Sequence, residues 1–274
     1  MKKYIYKFEA MSTPCELILY SLTKTKADEA AKAVLFESKR LEKKYNYYDK
    51  NSYLSQINSR QTLELDKESK SLFSRAKKYY TLTQGVFDIS VATIKDLYKE
   101  SLNIKELEAE KELLLSFVGC EHFTLNRNKI IFDNEFTKLD LGGFVKEYAV
   151  DRAVMILKKH KIISALVNYG GDIYALGKKP DGSKFKIGIK NPKNPKEYIK
   201  EVFLQNQALT TSASYERNYK IEDKIYSHII SKELSTSQAK SVSIISTNCV
   251  ESGVYSTSLM IDEKIQTTNT VIIF

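Results

Sequence analysis

Long apolar runs are missing from this chain of 274 residues. None approaches the roughly 18–20 consecutive apolar residues a membrane-spanning helix needs. Glycine and proline are scarce, 10 and 4, which excludes a collagen-like or low-complexity chain, and an apolar share of 42% excludes global disorder. Cys15, Cys120 and Cys249 are the only cysteines. They are far apart, form no C-x-x-C pair and are odd in number, which argues against a disulfide framework and for a reduced compartment. At the N-terminus Lys7 and Glu9 interrupt any apolar signal region, and Ser12-Thr13-Pro14 before Cys15 does not make a lipoprotein cleavage site. The sequence therefore predicts an unexported, cytoplasmic protein.

What is present is a basic, mixed helix-and-strand chain. Lys+Arg outnumber Asp+Glu by 43 to 34, a net charge of +9, but the lysines are scattered in pairs such as Lys43-Lys44 and Lys158-Lys159. Zinc-finger spacing, a ribonucleoprotein aromatic motif and a basic block are all lacking, so no nucleic-acid partner is predicted. A polyanionic small molecule or an acidic partner suits such a surface.

Helical spacing predicts helices over 26–45 and 67–83, the second capped near Gly85, then a helix toward Tyr98 and a surface helix over 101–115. Tyr45–Ser52 reads as a tyrosine-rich loop. Leu139–Gly143 reads as the end of a short strand leading into a helix through Leu157. A strand over 162–169, broken by Gly170-Gly171, continues at 173–176. Strands are predicted at 184–190, 202–209, 228–230 and 242–246, then a helix over 249–260 and a strand over 270–274. The fold class is α+β, mainly antiparallel sheet with packed helices, in one domain over 1–274 or in two intimately packed α/β lobes.

Several short constellations could carry chemistry, and each has a plain reading beside the functional one. Asp140-Leu141-Gly142-Gly143-Phe144-Val145-Lys146 places two glycines and a lysine at a helix start, where backbone N–H groups favour an anion; the plain reading is a tight turn with a solvated lysine. Asn168-Tyr169-Gly170-Gly171-Asp172 reads as a bulge with Asp172 solvated, or as backbone pressed against a ligand. Of the three histidines, His122 and His160 read as structural or solvated. His228, among polar neighbours, is the one placed like a base. The hydroxyl-dense stretches Thr210–Arg217 and Ser252–Thr257 suit phosphate binding, or ordinary turn chemistry and close helix packing.

Taken in order, these segments resemble the FAD:protein FMN transferase (ApbE-like) family over nearly the whole chain. The matches are Met11-Ser12-Thr13; Tyr48 followed by Ser52-Tyr53-Leu54-Ser55-Gln56-Ile57-Asn58; Phe87-Asp88-Ile89-Ser90-Val91; Leu139 to Gly177; Thr211-Ser212 with Tyr215-Glu216-Arg217; His228-Ile229-Ile230; and Ser256-Thr257. The resemblance implies a T-fold-related architecture and an enzyme that uses Mg²⁺ to move FMN from FAD onto a Thr or Ser hydroxyl, releasing AMP. The implied acceptor is a flavoprotein subunit of a redox complex. Matching positions imply FAD contacts from Met11, Tyr48, Val86, Phe87, Asp88, Asp140, Lys146 and Ile230. They imply His228 as proton acceptor, and metal contacts from the Gly143 and Val250 carbonyls and the Thr257 hydroxyl. The alternatives are a non-catalytic FAD-binding protein with a decayed metal site, or a pyrophosphatase giving FMN and AMP.

Three departures from the family pattern stand out. Gly253 stands where a metal-ligating Asp is usual, with Glu251 or the pyrophosphate as candidates for compensation. Ser231-Lys232 replaces Asp-Pro, and Glu147 replaces the Gly after Lys146. Restoring Asp at 253 is expected to tighten Mg²⁺ dependence.

Overall fold

The computed structural model describes residues 1–214, 218–227, 229–232 and 237–274. Strands β1 (Lys2–Ala10) and β2 (Thr13–Ser21) open the chain, followed by helix α1 (Lys24–Tyr45). Next come α2 (Tyr53–Asn58), α3 (Lys67–Leu82), α4 (Ala92–Lys95), α5 (Leu97–Glu100) and α6 (Ile104–Leu114). The hairpin β3 (Phe123–Asn126) and β4 (Lys129–Phe132) leads through an irregular stretch to α7 (Val145–Lys159). Strands β5 (Ala165–Tyr169), β6 (Asp172–Leu176), β7 (Phe185–Asn191), β8 (Asn194–Leu204) and β9 (Gln207–Ala213) follow. The chain closes with β10 (Asn218–Ile221), β11 (Lys224–Ser227), β12 (Ser241–Ser246), α8 (Cys249–Ile261) and β13 (Thr270–Ile273).

A seven-stranded sheet in the order β1-β2-β5-β6-β9-β12-β13 organises these elements, every neighbouring pair antiparallel. Strand periodicity assigns its two faces. Leu17, Leu19, Ala165, Val167 and Tyr169 point into the larger core, beneath α1 and α7. Ile173, Ala175 and Leu209 point the other way, into a second core closed by the β7–β8 hairpin through Phe185, Ile187 and Val202. This explains the unbroken apolar run in β6, because a strand covered on both faces has no polar side.

Helix α1 forms because its apolar residues recur at helical spacing and Thr23 caps it, its side chain accepting from the Lys26 N–H. The buried stripe of Ala27, Ala30, Ala31, Val34 and Leu41 is rich in alanine, and Ala149 and Ala153 of α7 are buried in the same core. Small side chains on both helices permit close approach. Buried Tyr169 fixes helix to sheet, its hydroxyl 2.6 Å from Ser38 Oγ on α1.

The helices fall close to expectation, but four strand assignments need correction. Gly170-Gly171 is not a bulge in one strand: both residues have positive φ and turn the chain between β5 and β6. The apolar run 202–209 belongs to two strands, β8 and β9, turning at Gln205-Asn206. Leu139 is not in a strand; the Asn58 side-chain amide donates to its carbonyl and accepts from its N–H, at 2.8 and 2.9 Å, in place of a strand partner. Strand β11 ends at Ser227, leaving Ile229 and Ile230 irregular. His228 and the Tyr215-Glu216-Arg217 motif lie outside the described residues. Among the described residues, no helix is long and apolar enough to cross a membrane.

Candidate functional site

Loops at one end of the large sheet converge with α7 and α8 around a cleft of about 630 Å³. The first wall is the β1–β2 turn. Met11 and Ser12 both have φ above +50°, the left-handed conformation that a two-residue hairpin turn demands and L side chains resist. The Met11 N–H donates to Glu42 Oε1 of α1 at 2.6 Å, which holds this turn.

Tyr48 stands on the loop after α1, 57% exposed, with its N–H donating to Asn46 Oδ1. Lys99 Nζ lies 4.0 Å and Lys95 Nζ 4.9 Å from its ring centroid, while Tyr47 meets it edge-on at 5.3 Å. Lys95 is also ion-paired with Asp140, both side chains being mostly buried. Burial pulls the Lys95 ammonium down, but the Asp140 charge outweighs it and holds the group well above the usual lysine range. Asp140 Oδ1 accepts from the Gly142 N–H at 2.8 Å, folding the chain into the turn that precedes α7.

Val86 and Phe87 line the cleft beyond the end of α3, where the Phe87 N–H donates to Thr83 Oγ1 at 3.0 Å. Asp88 borders the cleft, but its Oδ1 is already occupied, accepting from the Ser90 N–H, the Ser90 hydroxyl and the Cys120 thiol. Burial pushes its carboxyl up.

The opposite wall carries a group of buried charges. Lys146 is not a solvated lysine: it is ion-paired with Asp172, which is only 4% exposed at the β5–β6 turn. Burial works against the Lys146 charge, yet Asp172 and Glu147 hold it above the ordinary lysine range. Glu147 is 6% exposed, and its Oε2 has no hydrogen-bond partner. Burial first and the Asp172 charge second push its carboxyl up to about 8, against the pull of Lys146. Neighbouring Asp151 accepts from the Cys249 and Val250 N–H groups, at 2.7 and 3.2 Å, at the start of α8.

Helix α8 is joined to β9 by hydroxyls. Thr210 Oγ1 lies 3.1 Å from Ser252 Oγ, and Ser212 Oγ lies 2.9 and 3.2 Å from Ser256 Oγ and Thr257 Oγ1. Both hydroxyl-rich stretches thus serve close packing, and Thr211, Ser212 and Thr257 also border the cleft.

Met11, Tyr48, Val86, Phe87, Asp88, Asp140, Gly143, Lys146, Ile230 and Thr257 therefore meet in one cleft. Val250 is fully buried in the first turn of α8 and is not among the lining residues. Glu251 does not compensate for Gly253 here, since its carboxylate accepts from the Asn248 and Asn269 amides away from the cleft. Nor is Gly253 a vacant position. A Cβ built there would lie 2.6 Å from Glu147 Cγ, so an aspartate at 253 requires the Glu147 side chain to shift. Sequence reading misses Lys95, Lys99 and Asp172 as cleft residues. Lys95 and Asp140 lie on separate elements, and no local pattern links them.

Among the described residues, no cluster of three or more His, Cys, Asp or Glu could hold a metal ion. Gly143, which carries a backbone carbonyl, and Thr257, which carries a hydroxyl, border the cleft together with Glu147 and Asp172. Two buried carboxylate oxygens at this wall lack a hydrogen-bond partner, Glu147 Oε2 and the Asp172 Oδ2 that is ion-paired with Lys146, and this hard, incomplete donor set fits Mg²⁺, which takes one or two carboxylates and leaves places for water or substrate phosphate.

The chain is similar to the FAD:protein FMN transferase of Vibrio cholerae, at 26% identity over 226 residues, 78% of this chain and 67% of that protein. It is 28% identical over 236 residues to the protein of the same name from Chlamydia pneumoniae, 81% of this chain and 73% of that one. The crystal structure of the ApbE protein from Thermotoga maritima matches with a TM-score of 0.85 at 27% identity, over 95% of this chain and 87% of that chain. The profile of the ApbE family matches residues 11–271, and this chain belongs to that family.

Proposed function

We propose that the protein, acting as one unit over its whole length, transfers FMN from FAD to a Thr or Ser hydroxyl of an acceptor flavoprotein. The acceptor is a subunit of a redox complex, the reaction needs Mg²⁺, and AMP is released. One observation carries this reading: a single cleft of about 630 Å³ combines Tyr48 and Phe87 with the cations Lys95, Lys99 and Lys146. A flat heteroaromatic ring joined to a pyrophosphate asks for that combination. The relatives' names give the same substrate. A cytoplasmic location belongs to this reading, supported by three buried cysteines that form no disulfide.

Met11, Tyr48, Val86, Phe87, Asp88, Asp140, Lys146 and Ile230 are the proposed FAD contacts. The Gly143 carbonyl and the Thr257 hydroxyl, which border the cleft where Val250 does not, would hold Mg²⁺, which when bound supplies Lewis-acid polarisation of the pyrophosphate. The acceptor hydroxyl oxygen forms a bond to the FMN phosphorus, and the bond from that phosphorus to the bridging oxygen breaks. AMP departs with the electron pair, and the hydroxyl proton passes to His228. The lysines of the cleft orient the phosphates and offset their charge.

Incubating the purified protein with FAD, Mg²⁺ and a candidate flavoprotein tests this. Covalent, gel-stable flavin fluorescence on the acceptor is the expected result. Free FMN and AMP would mean that water takes the acceptor's place, and bound, unchanged FAD would mean a carrier. His228→Ala is expected to slow transfer by about 10²-fold with FAD affinity retained, as for loss of a general base; unaltered single-turnover kinetics would remove His228 from the mechanism.

A further inference from the structure

Glu147 of α7 and Gly253 of α8 occupy one small volume between the two helices. A Cβ on Gly253 would lie 2.6 Å from Glu147 Cγ and 3.1 Å from its Cδ, so the glycine is the space in which the glutamate lies. Glu147 borders the cleft with Gly143 and Thr257, is 6% exposed, and keeps Oε2 without a hydrogen-bond partner. Asp172, 4% exposed, borders the same cleft and is ion-paired with Lys146. Among the described residues that border this wall, two buried carboxylates thus lie near one ammonium group, which is ion-paired with Asp172. A buried carboxylate oxygen with no partner is unfavourable unless a proton or a cation completes its surroundings.

We infer that Glu147 is the carboxylate ligand of the divalent cation in this cleft, reaching from α7 into the room that Gly253 leaves on α8. This deepens the proposed Mg²⁺ dependence and rests on it. The two positions are reciprocal. A side chain at 253 would displace Glu147 from where it lies, and with glycine at 147 an aspartate at 253 would bring a carboxylate to the same volume from the other helix. The ligand charge belongs to the place, and either helix can supply it.

Titration with Mn²⁺, read by electron paramagnetic resonance, tests the assignment without turnover. FAD affinity in EDTA, read by flavin fluorescence, reports separately whether each variant keeps its cleft. Glu147→Gln is expected to weaken Mn²⁺ binding by about tenfold or more while FAD affinity in EDTA holds. Glu147→Gly combined with Gly253→Asp is expected to return Mn²⁺ affinity close to the parent's, whereas Gly253→Asp alone brings no gain and lowers thermal stability. Unchanged Mn²⁺ affinity in Glu147→Gln overturns the assignment and leaves a metal site with other ligands. A parent protein that binds no Mn²⁺, with or without FAD, removes the metal-dependent reading and the assignment together. Should Glu147→Gln fail to fold, the double variant decides: retained Mn²⁺ affinity supports the exchange, and loss of it with the FAD site intact overturns it.

Discussion

Gly170 is a residue whose identity is set by what surrounds it. Its φ of +62° suits glycine, its N–H donates to the Pro14 carbonyl at 3.0 Å, and a Cβ there would collide with Thr13 Oγ1. It also borders the cleft beside Met11, so the β5–β6 turn and the β1–β2 turn press backbone on backbone where a ligand would sit. Gly170→Ala is expected to destabilise the protein by about 2 kcal/mol, about half from the left-handed backbone and the rest from the collision. Adding Thr13→Ala should recover the collision part alone. Urea denaturation of the two single variants and the pair measures this, and simple additivity would show that the two turns do not touch as described.

At the scale of elements, a charge network fastens three helices. Glu37 of α1 accepts from Arg40 and from Arg152 of α7, each at 2.8 Å. Glu68 of α3 accepts from Arg40 at 2.6 Å and from Lys44 at 2.9 Å. Burial pushes the Glu68 carboxyl up, but hydrogen bonds and charge from Arg40 and Lys44 outweigh it and lower the group from 4.5 to about 2. A depressed acid contributes stability that is complete above about 4.5 and fades as pH falls toward about 2. Glu68→Gln is therefore expected to cost roughly 1–2 kcal/mol near neutral pH, after discounting for solvent screening, and almost nothing near the lower limit. Urea midpoints across that range check it; a deficit that is constant with pH would assign the loss to packing.

Elements also show what can be read in advance. Helices α1, α3 and α7 stand out because each carries an apolar stripe at helical spacing over many residues, whereas α8 is buried nearly all round. The β3–β4 hairpin is invisible, since four-residue strands leave too few alternations to register. Leu139 mimics a strand because it hydrogen-bonds like one, but with the Asn58 side chain. In the site, the family resemblance, carried over position by position, groups Met11, Tyr48, Phe87, Asp140 and Lys146, and the cleft brings them together. The Lys95–Asp140 pair and the Glu147–Gly253 exchange depend on spatial neighbours that no local pattern contains.

For the molecule as a whole, charge is the readable quantity. The net charge of +9 favours approach of a polyanionic ligand, and in the cleft Lys95 and Lys146 meet it already paired with Asp140 and Asp172. The cleft stays partly open to solvent, with Tyr48 more than half exposed, so screening by salt reaches it. FAD affinity is expected to fall several-fold between about 0.05 and 0.5 M NaCl, a change fluorescence titration can follow. Affinity indifferent to salt would mean that apolar ring contacts alone hold the dinucleotide.

The cleft draws on Met11, in the first hairpin, and on Thr257 and Ile261, in the last helix. An occupant touching both acts as a reversible cross-link between the two ends of the fold, and its free energy of binding adds to resistance against global opening. A nascent chain still on the ribosome, with α8 unmade, has no complete seat for the dinucleotide. Under the proposed function, capture of flavin thus requires both the first hairpin and α8 to be in place, and copies without flavin are expected to be digested sooner by protease.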